Sequence, residues 1–300
     1  MDKPLVSVIC LCYNQAPYVE DAIISVLNQT WENIELIVVD DASTDNSQQV
    51  IEKVVRKNPG ITFLPNKTNK GNCASFNHGF LHAKGEYIVD LAADDLLLPD
   101  RLEKQLHRFA GLSSDYGVVY TDAIIVDEND REIRRHEADL KARRMVSHMP
   151  EGNVFEMVLK RYFIPAPTML IRKKVLDELG GYDASLAYED FDFWVRSARN
   201  WNYAYINEPL TKIRKLPGSM SASMYGPDDP KVLSTFIVCE KAMGLIKGPA
   251  EKTALIARVR YELRQALWHR NKIMARKWYG MLRALKGSNL FYRLLAVFTA

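Results

Sequence analysis

The first hundred residues alternate four short apolar segments with stretches whose apolar residues recur at helical spacing. The apolar segments, residues 5–11, 34–39, 61–64 and 86–91, have the length and β-branched content of buried strands. Strands that are apolar on both faces are typical of parallel sheets covered by helices on each side. We therefore predict an α/β fold with a doubly wound, mostly parallel sheet flanked by helices, and a ligand crevice at the carboxyl ends of its strands.

The rest of the chain follows other patterns. Strands are predicted at residues 116–120 and 123–127, and charged, aperiodic loops at residues 134–148 and 212–225. Residues 228–300 have helical spacing throughout, with breaks near Gly248-Pro249 and Gly287-Ser288. We therefore expect one α/β domain followed by a helical appendage.

Charge is unevenly distributed along the 300 residues. The net charge is only +3, which does not favour nucleic acid as a partner, but residues 251–300 carry eleven Lys and Arg against two acids. Helix-spaced apolar residues accompany these cations. Two alternatives follow: the helices pack on the domain or on a second copy in a homodimer, or they contact an anionic membrane surface. Packing is favoured.

The four cysteines, Cys10, Cys12, Cys73 and Cys239, show no metal-ligand spacing. Cys10 and Cys12 alternate on one strand and cannot close a relaxed disulfide. Reduced thiols in the core of a cytosolic protein are therefore expected. Because no signal peptide and no run of 18 apolar residues is found, we expect a cytoplasmic protein, at most peripheral to the inner face of the plasma membrane.

Polar residues follow three of the predicted strands. Tyr13-Asn14 follow the first, Asp40-Asp41 the second and Asp94-Asp95 the fourth. Adjacent carboxylates repel each other unless a cation or polar partners hold them, so Asp94-Asp95 indicate either a metal–phosphate site or a cap for the helix that follows. No glycine-rich phosphate loop is present, so a cation and side chains would have to hold a phosphate.

An ordered series of motifs strengthens the first alternative. They are VSVICLCYN at residues 6–14, SVLNQT at 25–30, VVDDASTD at 38–45, NKG at 69–71, NHG at 77–79, AKGEYI at 83–88, AADD at 92–95 and ED at 189–190. Over roughly residues 4–225 this series resembles glycosyltransferase family 2, inverting enzymes with the A-type glycosyltransferase fold. The resemblance implies a catalytic domain at residues 1–225, with a nucleotide-binding half at 1–110, an acceptor-binding half at 111–225, and a C-terminal helical region at 226–300.

The resemblance also implies roles for particular residues. Tyr13 matches the position that stacks on the nucleobase, and Asp41 the acid that accepts the ring N–H, which favours uracil or thymine. Asp94 matches the ligand of a divalent cation, Mn²⁺ or Mg²⁺, and Asp95 holds the ribose, the waters of the ion or the loop. The remaining residues implied in nucleotide binding are Leu11, Asn14, Lys70 and Gly71.

Two adjacent acids, Glu189 and Asp190, complete the implied site. Asp190 matches the catalytic base, and Glu189 contacts the acceptor or orients the loop. Taken alone, this pair is more typical of the first turn of a helix than of a catalytic site. Two departures from the family pattern are Ala92, where an acid is usual, and Leu216, where some members have histidine. The sequence leaves open whether Arg214, Lys215 or Lys70 replaces part of the metal charge.

The resulting hypothesis is an inverting glycosyltransferase that uses a nucleotide sugar, with a UDP-sugar favoured, and a saccharide or lipid-linked acceptor. Synthesis of cell-surface polysaccharide or glycolipid is the expected setting. Two alternatives remain open at this stage. One is a sugar nucleotidyltransferase, although the glycine-rich loop typical of those enzymes is absent after the first strand. The other is a catalytically impaired sugar-nucleotide-binding protein, which Ala92 and Leu216 favour.

Overall fold

The protein is described by a computed structural model at residues 3–216, 226 and 229–292. The chain divides into two compact units, each assembled from three segments. The first comprises Met1–Gly152, Phe163–Ser185 and Asn200–Leu216, and the second comprises Asn153–Tyr162, Leu186–Arg199 and Pro217–Ala300. The functional division at residue 225 stays a prediction.

Four parallel strands form one part of the sheet in the first unit. They are β1 (Val6–Cys12), β2 (Ile34–Asp40), β3 (Thr62–Pro65) and β4 (Tyr87–Ala92), joined by α1 (Val19–Leu27), α2 (Ser47–Lys57) and α3 (Asn72–Phe80), and their order is β3-β2-β1-β4. Helix α3 packs closely on the sheet through Gly79, where an added Cβ would lie 2.6 Å from Ile9 and 3.0 Å from Val39. The predicted strand–helix alternation is therefore present.

Further strands continue the sheet beyond β4. They are β5 (Leu96–Leu97), β6 (Tyr116–Val126), β7 (Glu132–Arg135), β8 (Leu170–Arg172) and β9 (Asn202–Arg214), accompanied by α4 (Arg101–Ala110), α5 (His136–Ala142) and α7 (Lys173–Leu179). The order continues β4-β8-β6-β9-β5, with β7 paired to β6. β8 is antiparallel to both of its neighbours, whereas β6 and β9 are parallel. The predicted α/β fold with a sheet flanked by helices is confirmed.

The second unit is helical in its described residues. Its helices are α6 (Phe155–Lys160), α8 (Asp190–Ser197), α9 (Pro230–Leu245), α10 (Pro249–Trp268) and α11 (Lys272–Ala284). The apolar stripes predicted from the sequence are buried here, as shown by Leu255, Val259, Trp278 and Leu282, each at most 1% exposed. The stripes therefore face the interior of this unit.

The predicted break at Gly248-Pro249 is confirmed, because α10 begins at Pro249. Among the described residues, no helix is both long and apolar enough to cross a membrane. All four cysteines lie in the described part of the chain, are buried, and form no disulfide.

Two local expectations were wrong. Residues 134–148 are not a continuous loop, since β7 ends and α5 begins within them; α5 buries only Leu140, so its sequence shows no apolar period. The strands expected at 116–120 and 123–127 form one strand, β6, because Thr121 and Asp122 are buried in it rather than turned out. Of the loop expected at 212–225, residues 212–214 belong to β9, and residues 217–225 lie outside the described residues.

Candidate functional site

Three loops of the first unit leave the sheet from neighbouring strands at the same edge. β1 lies between β2 and β4, and all three are parallel, so the segments that begin at Tyr13, Asp41 and Ala93 emerge side by side. Backbone hydrogen bonds join them directly: Asp41 N donates to Cys12 O at 2.8 Å, and Ala93 N donates to Leu11 O at 2.9 Å. The sheet therefore brings the candidates of these loops together.

Asn14 links the loop after β1 to the loop after β2. Its φ of 54° is left-handed, a conformation that asparagine tolerates better than most residues. Its Oδ1 accepts from Thr44 N at 2.7 Å, and its own N–H donates to Ser43 Oγ at 2.9 Å. Asn14 thus holds the loops in register, while the ring of its neighbour Tyr13 stays 46% exposed.

The carboxylate of Asp41 is buried and accepts three hydrogen bonds. Its donors are Asn66 Nδ2 at 2.9 Å, Lys70 N at 2.8 Å and Gly71 N at 2.8 Å. Gly71 has a φ of 82°, which a side chain would strain. Asp41 therefore brings Lys70 and Gly71 to the ends of β1 and β2. Since an ionised carboxylate has about four acceptor sites, roughly one remains for another N–H.

Asn66 extends this network and was missed by the sequence analysis. Its Nδ2 also donates to Ser75 Oγ at 3.0 Å, and its Oδ1 lies 2.9 Å from Nδ1 of His78. The pKa of His78 is lowered, chiefly by burial and then by the charges of Lys70 and His82. A neutral imidazole is therefore favoured beside Asn66. The position of Asn66 just after β3, at the same edge of the sheet, was the available signal.

Asp94 and Asp95 follow β4 in different environments. Asp95 is 3% exposed, and its Oδ1 accepts from the backbone N–H of Arg214 at 2.9 Å. Burial raises its pKa well above the ordinary value, and repulsion from Asp94 raises it further. The pKa of Asp94 is also raised by burial, against opposing effects of Arg214 and Lys215. A cation at this pair would favour both ionised forms.

The guanidinium of Arg214 is buried and fixed. Its Nε donates to the backbone oxygen of Asp94 at 3.1 Å, its Nη1 donates to the backbone oxygen of Asp127 at 3.3 Å, and its Nη2 lies 3.6 Å from Asp130. It also lies 4.8 Å from the ring centre of Tyr18. The sequence placed Arg214 in a loop, whereas it ends β9 and its guanidinium holds the Asp94 loop. Partial replacement of metal charge by Arg214 stays a prediction.

Arg101 is a second buried cation that the sequence did not single out. Its nitrogens donate to Gln105 Oε1, Thr211 Oγ1 and the backbone oxygen of Met169, at 3.0 to 3.1 Å. Burial lowers its pKa to about 9, although the charge of Asp95 acts in the opposite direction. Arg101 therefore supports the segment after β4 from within the core, a role that helical periodicity cannot reveal.

The described residues contain no cluster of three or more His, Cys, Asp or Glu side chains able to hold a metal ion. Mg²⁺ in nucleotide enzymes is commonly bound by one or two carboxylates together with phosphate oxygens and water. The carboxylate of Asp94, half-buried just after β4 and next to Asp95, fits that mode of binding. Ala92 is half-buried and supplies no ligand, so the donor set is smaller than the usual family motif by one carboxylate.

Glu189 and Asp190 belong to the second unit, where Asp190 begins α8. The segment before them is fixed by α9: Ala187 N donates to Ser234 Oγ at 2.9 Å, and the Tyr188 hydroxyl lies 2.7 Å from Thr235 Oγ1. Asp190 lies in the first turn of α8, where the helix dipole stabilises acidic side chains. The C-terminal helices therefore support the predicted acid pair.

Asp192, two residues further on, has a structural role. It is 1% exposed, and its two oxygens contact Arg196 Nε and Lys241 Nζ, each at 2.6 Å. A buried carboxylate held by two cations ties α8 to α9.

Comparison with known proteins agrees with this arrangement. The model of the family described as glycosyl transferase family 2 matches residues 7–180. An uncharacterized glycosyltransferase of Methanocaldococcus jannaschii is 32% identical over 222 residues, which are 71% of this chain and 72% of that protein.

Two solved structures share the fold. S. aureus TarS 1-349 in complex with UDP-GlcNAc has a TM-score of 0.70 at 18% identity, over 94% of this chain and 80% of that one. The mannosyltransferase PcManGT from Pyrobaculum calidifontis, in complex with GDP-Man and Mn²⁺, has a TM-score of 0.62 at 17% identity, over 99% of this chain and 84% of that one.

The family match extends from β1 to the end of α7 and includes Tyr13, Asp41, Asp94 and Asp95. It covers more than half of the chain, and the archaeal relative covers more than two thirds. The chain belongs to glycosyltransferase family 2, and its activity is the transfer of a sugar from a nucleotide sugar.

Proposed function

We propose that this glycosyltransferase uses a UDP-sugar, binds a divalent cation at Asp94, and transfers the sugar to an acceptor hydroxyl with inversion at the anomeric carbon. The observation that carries the proposal is the acid pair at the carboxyl end of β4, in which Asp95 is buried and Asp94 is half-buried. Both carboxyls have raised pKa values, so ionisation there is favoured by a bound cation. Mn²⁺ accompanies GDP-Man in the PcManGT structure, which supports the same arrangement here.

Uracil is favoured by the hydrogen bonds of Asp41. Three acceptor sites of its carboxylate are occupied by Asn66, Lys70 and Gly71, and about one remains. Uracil N3 carries a hydrogen that can donate to this site, whereas cytosine N3 carries none. The exposed ring of Tyr13 supplies a stacking surface for the base. TarS, which shares the fold, was solved with UDP-GlcNAc.

The transfer step requires a base and a stabilised leaving group. Asp190 accepts the proton of the acceptor hydroxyl as the acceptor oxygen bonds to the anomeric carbon. The bond between that carbon and the diphosphate oxygen breaks in the same displacement, so UDP leaves and the configuration inverts. A divalent cation bound at Asp94 supplies charge neutralisation to the diphosphate. Glu189 contacts the acceptor or orients the loop.

The acceptor and the setting stay predictions. A saccharide or lipid-linked acceptor, synthesis of cell-surface polysaccharide or glycolipid, and a cytoplasmic site follow from the resemblance and from the sequence. The acceptor half of the domain was expected to include the loop at residues 212–225, of which residues 217–225 lie outside the described residues.

A thermal-shift panel tests the proposal. UDP-, GDP- and CDP-sugars would be compared with and without Mn²⁺, followed by measurement of donor hydrolysis for the donors that bind. We expect UDP-sugars with Mn²⁺ to raise the melting temperature most. Equal or larger shifts with GDP-sugars would contradict the uracil assignment, and equal shifts in EDTA would contradict the metal assignment.

A further inference from the structure

A polar cavity lies at the end of α11 in the second unit. Its volume is about 290 Å³, and it is lined by Tyr279, Arg283, Lys286 and Ser288. Two of these residues are cations, two carry hydroxyl groups, and none is an acid. This polar and cationic lining suits an anionic group.

The cavity lies on a cationic face of α11. Lys272, Arg276 and Arg283 follow each other at intervals of four and seven residues, which places them on one side of α11, and Lys286 lies just beyond the end of the helix. The opposite side, which includes Trp278, is buried. The sequence has no Asp or Glu after residue 262, so no acid of this segment opposes the positive charge.

The acids of α10 are engaged elsewhere in the second unit. Glu251 pairs with Arg199 at 2.9 Å, and the buried Glu262 pairs with Arg258 at 3.3 Å. Among the described residues, neither Arg283 nor Lys286 forms an ion pair with an acid. Two cations without carboxylate partners therefore line one cavity, which is a favourable place for an anion.

The turn that carries Lys286 and Ser288 is fixed by packing. Lys286 has a left-handed φ of 53°, and Gly287 N donates to Leu282 O at 2.9 Å. An added Cβ on Gly287 would lie 2.8 Å from Ile256 and 2.9 Å from Leu282, so the turn packs closely against these two side chains. The cavity wall is therefore part of the folded unit and not an irregular surface feature.

Ser288 gives an independent indication of a ligand. Its hydroxyl is buried and has no hydrogen-bond partner among the residues that the structure describes. A buried hydroxyl without a partner costs free energy, which an acceptor oxygen in the cavity would recover after rotation about the serine χ1 bond. Phosphate oxygens are such acceptors, and they also suit the guanidinium of Arg283.

We propose that the cavity formed by Tyr279, Arg283, Lys286 and Ser288 binds a phosphate group. Arg283 and Lys286 neutralise the phosphate charge, and the hydroxyls of Tyr279 and Ser288 donate hydrogen bonds to its oxygens. The phosphate is carried either by a lipid headgroup or by a free anion. Leu290 and Phe291, which are 72% and 55% exposed, follow Ser288 closely and supply apolar contacts suited to a lipid.

The test uses the full chain and two probes. Inorganic phosphate is titrated in a thermal-shift assay against chloride at equal ionic strength, and flotation is measured with vesicles of phosphatidylcholine with or without phosphatidylglycerol. The double variant Arg283→Gln/Lys286→Gln is compared with Lys247→Gln/Lys252→Gln, which removes the same charge elsewhere in the unit. Ser288→Ala tests the cavity without any change of charge.

We expect Arg283→Gln/Lys286→Gln to lose about tenfold or more in affinity for at least one probe, with a smaller loss in the control pair. Ser288→Ala should weaken the same interaction. Selective loss of vesicle binding identifies a lipid headgroup, and selective loss of phosphate binding identifies a free anion. Equal losses in the two double variants, or no binding of either probe by the natural chain, would overturn the proposal. Because no readout uses sugar transfer, the outcome is independent of the proposed function.

Discussion

The guanidinium of Arg258 lies 4.1 Å from the ring centre of Tyr162, inside the second unit. The same group lies 5.1 Å from the ring of Phe191, and its Nη1 donates to Glu262 at 3.3 Å. Its Nε donates to the backbone oxygen of Leu159, also at 3.3 Å. One buried cation on α10 therefore joins α6 to α8, the helix that begins with Asp190.

The first prediction concerns this cation. Arg258→Met should lower the free energy of unfolding by about 3–5 kcal/mol, because it removes the cation that pairs with the buried Glu262. Urea denaturation measures the change. The double variant Arg258→Met/Glu262→Leu should recover much of the loss, since it removes both charges. If the single and double variants unfold at the same urea concentration, the ion pair does not explain the stability of this cluster.

The second prediction concerns the nucleobase. Asp41→Asn should weaken UDP binding and reduce the preference for UDP over CDP, because an amide has only one acceptor oxygen for the donors that face it. The variant should also have a lower free energy of unfolding. Lys70 N and Gly71 N donate to two different oxygens of the carboxylate, and the amide offers only one oxygen. Titration calorimetry measures both nucleotides.

Ser75→Ala serves as the control for this loss of stability. Ser75 accepts a hydrogen bond from Asn66 at 3.0 Å in the same network, and this bond does not involve Asp41 directly. The control should keep the preference for UDP. A natural chain that binds CDP or GDP more tightly than UDP would show that Asp41 does not read the base.

The third prediction concerns the metal. Asp94→Asn should weaken Mn²⁺-dependent UDP binding more than Asp95→Asn, because the amide oxygen at position 95 can still accept from Arg214 N. Calorimetric titration of UDP with Mn²⁺ and with EDTA separates the two variants. Unchanged UDP affinity of the natural chain in EDTA would mean that side-chain cations, such as Lys70 or Lys215, neutralise the diphosphate.

The fourth prediction concerns the base. Asp190→Asn should reduce single-turnover transfer by about 10²–10⁴-fold, because it removes proton acceptance, while UDP affinity stays nearly the same. Glu189→Gln should cost less and act through acceptor binding. Asp192→Asn is the matched control: it should lower stability, since it weakens the pairs with Arg196 and Lys241, but spare the rate of the folded fraction. Near-normal transfer by Asp190→Asn would refute the assignment.

The fifth prediction concerns pH. Because the pKa of His78 is lowered in the folded state, the unfolded chain binds more protons near and below the ordinary value of about 6.5. The free energy of unfolding should therefore decrease as the pH falls through about 6.5. The decrease should stop once the pH is below the pKa of His78 in the folded state. His78→Gln should flatten this dependence in urea denaturation, whereas His107→Gln, on the exposed side of α4, should leave it unchanged. Equal curves for both variants would contradict the prediction.

The parts of the fold with strong periodicity could be predicted from the sequence. Residues of β1, β2 and β4 are nearly all buried, and the polar residues that follow them, such as Asp41 and Asp94, are easily placed at one edge of a parallel sheet. Helix α5 was missed because it buries only Leu140 and therefore has no apolar stripe in its sequence. The local sequence pattern does not predict a helix or strand that is stabilised mainly by tertiary contacts.

Contacts between distant residues account for the remaining differences. Asp41 and Asn66 are 25 residues apart, and Arg214 meets the backbone of Asp94 across 120 residues. The periodicity of apolar residues in the sequence does not predict contacts between residues so far apart in the chain. Arg214 was therefore expected in a loop, although its guanidinium is buried at the end of β9.

The second unit also has a consequence for synthesis of the chain. Leu159 of α6 accepts its hydrogen bond from Arg258, which is translated 99 residues later. At typical translation rates of about 5–20 residues per second, that interval lasts roughly 5–20 s. Until α10 leaves the ribosome, Phe191 of α8 lacks its contact with the guanidinium of Arg258. The nascent chain should therefore be most prone to aggregation or chaperone capture during this interval, after the first sheet strands are complete.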